Sequence, residues 1–168
     1  MKNIRIIAIC VGVVATIFFI LPASIQNYKV VEDSMAPSIQ QGDYICVSKI
    51  IYRFVSPQRG DVIVFRPQRP KWGAPFIKRV IALPGESVEI RDGRIRINGI
   101  GIDEPYVIQP ARYVLPRLVV APDGCFVLGD SRNNSVDSRE GWTVPRQNIV
   151  GKVWLIYWPP SRLRLVGH

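Results

Sequence analysis

Histidine is nearly missing from this sequence. Its 168 residues include one, His168, at the last position. A Ser-His-Asp or Cys-His hydrolase, like a histidine-rich metal site, needs an imidazole held inside a fold, so the composition speaks against both. Cysteine is scarce too. Cys10, Cys46 and Cys125 are far apart and form no C-x-x-C pair, which leaves zinc and thioredoxin-type chemistry without a sequence basis. In an oxidising compartment Cys46 and Cys125 can meet as a disulfide, although buried free thiols are the simpler expectation. No acidic residue precedes Glu32, and 13 acidic residues face 22 basic ones for a formal net charge of +9. That charge comes with no basic helix or aromatic ladder, so nucleic acid is not expected as a partner. With 48% hydrophobic residues the chain is not a disordered one, and its length suits one domain with a small inserted lobe at most.

What the N-terminus does have is a long apolar run. Ile6 to Leu21 carries no charge, and extending it to Ile25 gives about 30 Å of helix, the thickness of a bilayer's hydrocarbon core. Lys2 and Arg5 precede the run, so the positive-inside tendency keeps the N-terminus in the cytoplasm. Residues 1–25 therefore read as a cytoplasmic N-terminus and a single transmembrane anchor, and residues 26–168 as a domain on the extracytoplasmic face of the plasma membrane. A cleaved secretory signal ending near Leu21-Pro-Ala-Ser24, or a buried soluble helix, are the competing readings. A basic domain tethered there is drawn to anionic headgroups, which makes the lipid bilayer an expected partner.

After residue 26 no 3.6-residue periodicity appears. Short β-branched runs alternate with Gly, Pro and Asp punctuation, and the candidate strands are 28–31, 44–47, 61–65, 76–83, 87–91, 94–97, 113–119, 125–128 and 149–158. Asp92-Gly93 between two of them fits a two-residue type I′ turn, which needs positive φ at both centres. The expected fold is all-β: an antiparallel, barrel-like sheet with a smaller β-hairpin lobe inserted over about 85–122.

Without histidine, hydrolysis needs another base. A lysine serves if an apolar pocket makes its charge costly. Of six lysines, Lys49 and Lys78 have apolar neighbours, and pattern alone favours a snorkelling surface residue for either. On a strand Lys78 and Arg79 point to opposite faces, so Lys78 can turn inward with Arg79 left in solvent. A nucleophile is offered by Ser34, in Val30-Val-Glu-Asp-Ser-Met-Ala-Pro-Ser38, about nine residues past the membrane exit. A polar cluster, Gly129-Asp-Ser-Arg-Asn-Asn-Ser-Val-Asp-Ser-Arg139, can be a solvated loop or a fixed hydrogen-bond network.

At these residues the chain resembles type I signal peptidases, membrane-anchored serine proteases that remove signal peptides from exported preproteins. The segments that carry the resemblance run in order. They are Ser34-Met35-x-Pro37, Arg59-Gly60-Asp61-Val-Ile-Val-Phe65, Lys78-Arg79-Val-Ile-Ala-Leu-Pro84-Gly85-Glu86, and Gly129 through Arg139; Asn98-Gly99 and Asp103-Glu-Pro-Tyr106 fit as well. The resemblance implies Ser34 as nucleophile and Lys78 as general base, with Ser135 hydrogen-bonding the amine and Asp137 and Arg139 bracing the loop. It also implies cleavage after small residues in an Ala-x-Ala pattern, with Tyr28, Val30, Glu32, Met35, Ile39, Val64, Phe76 and Ile77 around the substrate. Tyr28, Val30, Glu32 and Ser34 alternate onto one expected strand face. Preprotein signal peptides are the implied partners, with secretion machinery nearby, and neither metal nor cofactor is implied. Glu32 departs from the pattern: it stands where family members have a serine or glycine beside the oxyanion hole, and a carboxylate cannot donate there. Two other readings stay open, a specialised Ser/Lys processing peptidase of the conjugation or pilus type and a catalytically inactive, membrane-tethered binding domain.

Overall fold

The computed structural model describes residues 9, 11, 12, 24–68 and 73–167. Among the described residues, twelve strands form two antiparallel sheets. The larger one contains β1 (Ile25–Lys29), β2 (Tyr44–Ser48), β3 (Val62–Phe65), β4 (Phe76–Ala82), β9 (Gly124–Leu128), β10 (Val144–Pro145), β11 (Ile149–Trp158) and β12 (Arg164–Leu165). Its order is β1-β2-β11-β3-β4-β9-β10, with β12 on the outer part of β11. The smaller sheet contains β5 (Ser87–Arg91), β6 (Arg94–Ile97), β7 (Ile100–Gly101) and β8 (Leu115–Val119), in the order β7-β6-β5-β8. It is inserted between β4 and β9, which are neighbours in the larger sheet.

The local sequence explains these elements. Residues 62–65 are apolar without interruption because β3 is buried on both faces. Val62 and Val64 enter one core with Met35, Ile39, Ile45 and Ile156, while Ile63 and Phe65 enter another with Val80, Val127 and Val144. A third core joins Val88, Ile90, Ile95 and Ile97 of the small sheet to Ile81, Ala82, Phe126 and Leu128 of the large one. The lobe is thus sealed onto the strands that flank its insertion. Asp92 and Gly93 have φ of 52° and 73°, as a type I′ turn requires, and Asn98-Gly99 repeats the device with 53° and 83°.

Several expectations are corrected. The first strand spans Ile25–Lys29 instead of 28–31, and Val30 to Glu32 run on without strand pairing into a turn at 34–38. β8 begins at 115, because 113–114 lie in the approach to it. The two-residue strands β7, β10 and β12 and a single helical turn, α1 (Ile51–Phe54), were not foreseen. No helix among the described residues is long and apolar enough to cross a membrane. The expected anchor over residues 1–25 lies outside the described residues except for Ile9, Val11, Gly12, Ser24 and Ile25.

Candidate active site

Ser34 is presented on a turn that its own neighbours tie down. Asp33 accepts from Ala36 N through its carbonyl (3.0 Å) and from Gln41 N through Oδ1 (2.9 Å). Ile39 N donates to Met35 O (2.9 Å), while Val30 N donates to Asp43 O (2.8 Å) and Gly42 N to Val30 O (2.9 Å). Asp and Pro suit such a turn because one bonds the backbone locally and the other presets φ. The Ser34 carbonyl then accepts from Ser131 N (3.1 Å), which docks the turn on the loop after β9. Gly129 allows that approach: a Cβ there would collide with the Ser34 carbonyl oxygen and Ser135 Oγ. The Ser34 N–H donates to no acceptor among the described residues.

Lys78 comes from β4, opposite Ile63 in the register. Its Nζ donates to Ser34 Oγ at 2.8 Å and to the Ile77 carbonyl at 3.0 Å, and lies 5.3 Å from the centre of the Phe76 ring. The residue is 2% exposed and forms no ion pair among the described residues. Burial pushes its pKa down from 10.5 to about 8, against the pull of the Asp137 and Glu32 carboxylates. Lys49, the other lysine in an apolar setting, is exposed. The buried, unpaired amine on a hydroxyl is therefore at position 78.

The loop after β9 supplies the frame. Asp137 is fully buried and caps the 3-10 turn at Ser138–Glu140. Its Oδ1 and Oδ2 accept from Arg139 Nε and Nη2, both at 2.8 Å, and Oδ2 also accepts from Gly129 N at 3.1 Å. Arg139 in turn stacks over Tyr113, 4.3 Å from the ring centre. Ser135 differs from expectation: its buried Oγ has no hydrogen-bond partner among the described residues, and the Lys78 amine does not bond it.

Arg79 also differs. It is as buried as Lys78, not solvated. Its Nε and Nη2 donate to Asp130 Oδ1 and Oδ2 at 2.8 and 2.7 Å, Nη1 donates to Gly60 O at 2.9 Å, and the guanidinium lies 3.9 Å from the centre of the Tyr106 ring. Both faces of β4 are covered, so neither side chain reaches water. Asp130 sits in the same polar cluster as Ser135, and its acidic residue following an apolar strand was the one available sign of this partner.

A groove opens beside Ser34 and Lys78. Tyr28, Val30, Glu32, Met35, Val64, Phe76 and Ile77, which the resemblance implies around the substrate, line it together with Lys29, Val31, Ala74 and Pro75. Ile39 does not line the groove; it is fully buried in the core with Met35 and Val64. Met35 and Val64 are themselves buried, so the groove has a shallow apolar floor. Cys46 and Cys125 are buried free thiols, not a disulfide.

A signal peptidase family, peptidase S26, matches residues 3–158 of this chain. Signal peptidase I of Leptolyngbya laminosa is 45% identical over 141 residues, covering 80% of this chain and 70% of that protein. The probable signal peptidase I-1 of Synechocystis sp. is 45% identical over 142 residues, covering 80% and 72%. The crystal structure of a signal peptidase I from Enterococcus faecalis V583 superposes with a TM-score of 0.51 at 34% identity, covering 58% of this chain and 97% of that one.

Proposed function

The chain belongs to the signal peptidase family, peptidase S26, and is a serine endopeptidase that removes signal peptides from preproteins; on that premise we propose that Ser34 is its nucleophile and Lys78 its general base. The observation that carries the assignment is the 2.8 Å contact between Ser34 Oγ and a buried amine that forms no ion pair among the described residues. In its neutral form the Lys78 amine takes the hydroxyl proton as Ser34 Oγ attacks the carbonyl after which the signal peptide ends. The ammonium so formed returns the proton to the leaving amine of the mature chain, and the peptide remains as an ester on Ser34. Water then attacks the ester, again giving its proton to Lys78, and the signal peptide leaves with a new carboxylate.

The developing oxyanion needs a donor, and we assign the Ser34 N–H, which has no acceptor among the described residues. Asp137 and Arg139 fix the loop that holds the Ser34 turn, and Ser135 lies beside that turn as a reserve partner for the amine. The groove takes the end of the signal peptide in extended form, and its shallow floor at Met35, Val64 and Ile77 suits small side chains, hence Ala-x-Ala. We place the cytoplasmic N-terminus and membrane anchor at 1–25 and the extracytoplasmic catalytic domain at 26–168, with its small lobe at about 85–122, working against the bilayer near the secretion machinery.

The test is covalent labelling with an active-site acylating probe. Label is expected on Ser34, lost in Lys78→Ala and kept in Lys49→Ala; no labelling of Ser34 would favour an inactive binding domain. Sequencing the new N-terminus of a processed preprotein then reports the cleavage rule.

A further inference from the structure

We infer that Glu32 is a charge selector, whose carboxylate at the rim of the groove favours a basic side chain on the second substrate residue before the cut. This rests on the reading of the groove as the channel for the signal peptide's end. Glu32 lines that groove yet is exposed, and among the described residues it makes no hydrogen bond or ion pair. Its neighbour Asp33, by contrast, is engaged by the Gln41 N–H. An unengaged carboxylate beside an apolar floor has no evident part in holding the turn together.

Peptide geometry assigns its partner. Along an extended chain alternate side chains face opposite ways. When the first and third residues before the cut face the floor at Met35, Val64 and Ile77, the second faces outward to the rim. Glu32 is two residues from Ser34 and lines the same groove as Ser34 and Lys78. Lys29 also lines the groove, with its amine 5.8 Å from the centre of the Tyr44 ring, so the groove carries an acidic and a basic side chain and only the acidic one is two residues from Ser34. The field of Glu32 reaches the reacting centre, since it is among the carboxylates that oppose the loss of charge on Lys78. A carboxylate has no proton to give an oxyanion, but it can receive a cation.

The test uses the full chain in detergent and three peptides with an Ala-x-Ala frame, identical except for Lys, Gln or Glu at the middle position. The readout is the ratio of kcat/KM for Lys over Glu within each enzyme, which cancels changes in Lys78 protonation or folded fraction. An exposed charge pair predicts a ratio of about threefold to tenfold at low ionic strength, shrinking in about 0.5 M salt. The ratio should fall close to one in Glu32→Gln and invert in Glu32→Lys. A wild-type ratio of one, or an unchanged ratio in Glu32→Gln, overturns the selector while leaving the proposed function standing. Failure of the wild type to cut any of the three would overturn the substrate-channel reading and this inference with it.

Discussion

Lys78 and Arg79 are adjacent on β4 and equally buried, each 2% exposed, yet the fold treats their charges in opposite ways. Arg79 meets a bidentate carboxylate, a carbonyl and an aromatic face. Lys78 meets a hydroxyl, a carbonyl and an aromatic ring, and the carboxylate that favours its charge most, that of Asp137, is already held by Arg139. One buried cation is compensated and serves to knit the turn loop to the strand. The other is left uncompensated, and that is what makes an amine available as a base near pH 8. The difference lies in the partners, because depth is the same on both sides.

The largest test of this contrast is catalytic. Lys78→Ala should lower kcat/KM on a preprotein by about 10⁴-fold, the upper range for a general base, while circular dichroism and Tm stay close to wild type or above it. Loss smaller than tenfold would show that another group takes the proton.

On the compensated side the expected damage is to stability. Asp130→Ala strands the Arg79 guanidinium in the interior, and urea unfolding should show a loss of about 3–5 kcal/mol. If stability barely changes, Arg79 has found water and its burial is not what holds the loop.

The uncompensated side should show the reverse sign. Burial holds the Lys78 pKa at about 8 against 10.5 in its free form, so folding at neutral pH carries a penalty of about 3 kcal/mol. Since the unfolded chain binds the extra proton between about 8 and 10.5, this penalty is complete below 8 and fades as pH rises through that window. Lys78→Met should therefore be stabler than wild type by up to about 3 kcal/mol at pH 7, with the advantage gone near pH 11. A pH-independent difference would point to packing alone. The same titration governs rate: kcat/KM should level off above about pH 8 and fall about tenfold per unit below it, to about one hundredth of the plateau at pH 6. A profile flat from pH 6 to 9 would contradict a lysine base.

The contrast also shows what a sequence can and cannot express. Strands such as Ser87–Arg91 and Arg94–Ile97 were legible with correct ends, because a turn with its own chemistry, Asp92-Gly93, bounds them. β7, β10 and β12 have two residues each, too few for any period to register. Arg79 was misread because strand alternation supplies two faces but does not say that both are covered; its partner Asp130 is 51 positions away. The segment from Val30 to Ser34 alternates as a strand would, yet Asp33 and Pro37 close a turn that takes Ser34 off the sheet. Ordered motifs distinguish Lys78 from Lys49, whereas apolar flanks alone leave the two lysines equivalent.

The smallest effect concerns Ser135, where the uncompensated side has one group to spare. Its hydroxyl is buried beside the Ser34 turn with no partner among the described residues, while the amine bonds Ser34 and the Ile77 carbonyl. A buried hydroxyl without a hydrogen bond costs stability, so Ser135→Ala should leave Tm unchanged or raise it by an amount worth about 1 kcal/mol. When Ser34 becomes an ester its oxygen can no longer share a proton with Lys78, and the amine then needs another group to keep it aimed at water. Ser135 is placed to do this, and one neutral hydrogen bond of about 1 kcal/mol predicts a deacylation step about fivefold slower in Ser135→Ala, with acylation less affected. Pre-steady-state acylation by the probe and its release would separate the two steps. Equal slowing of both would mean that Ser135 holds the amine from the start, and no slowing of either would confine it to filling space beside Gly129.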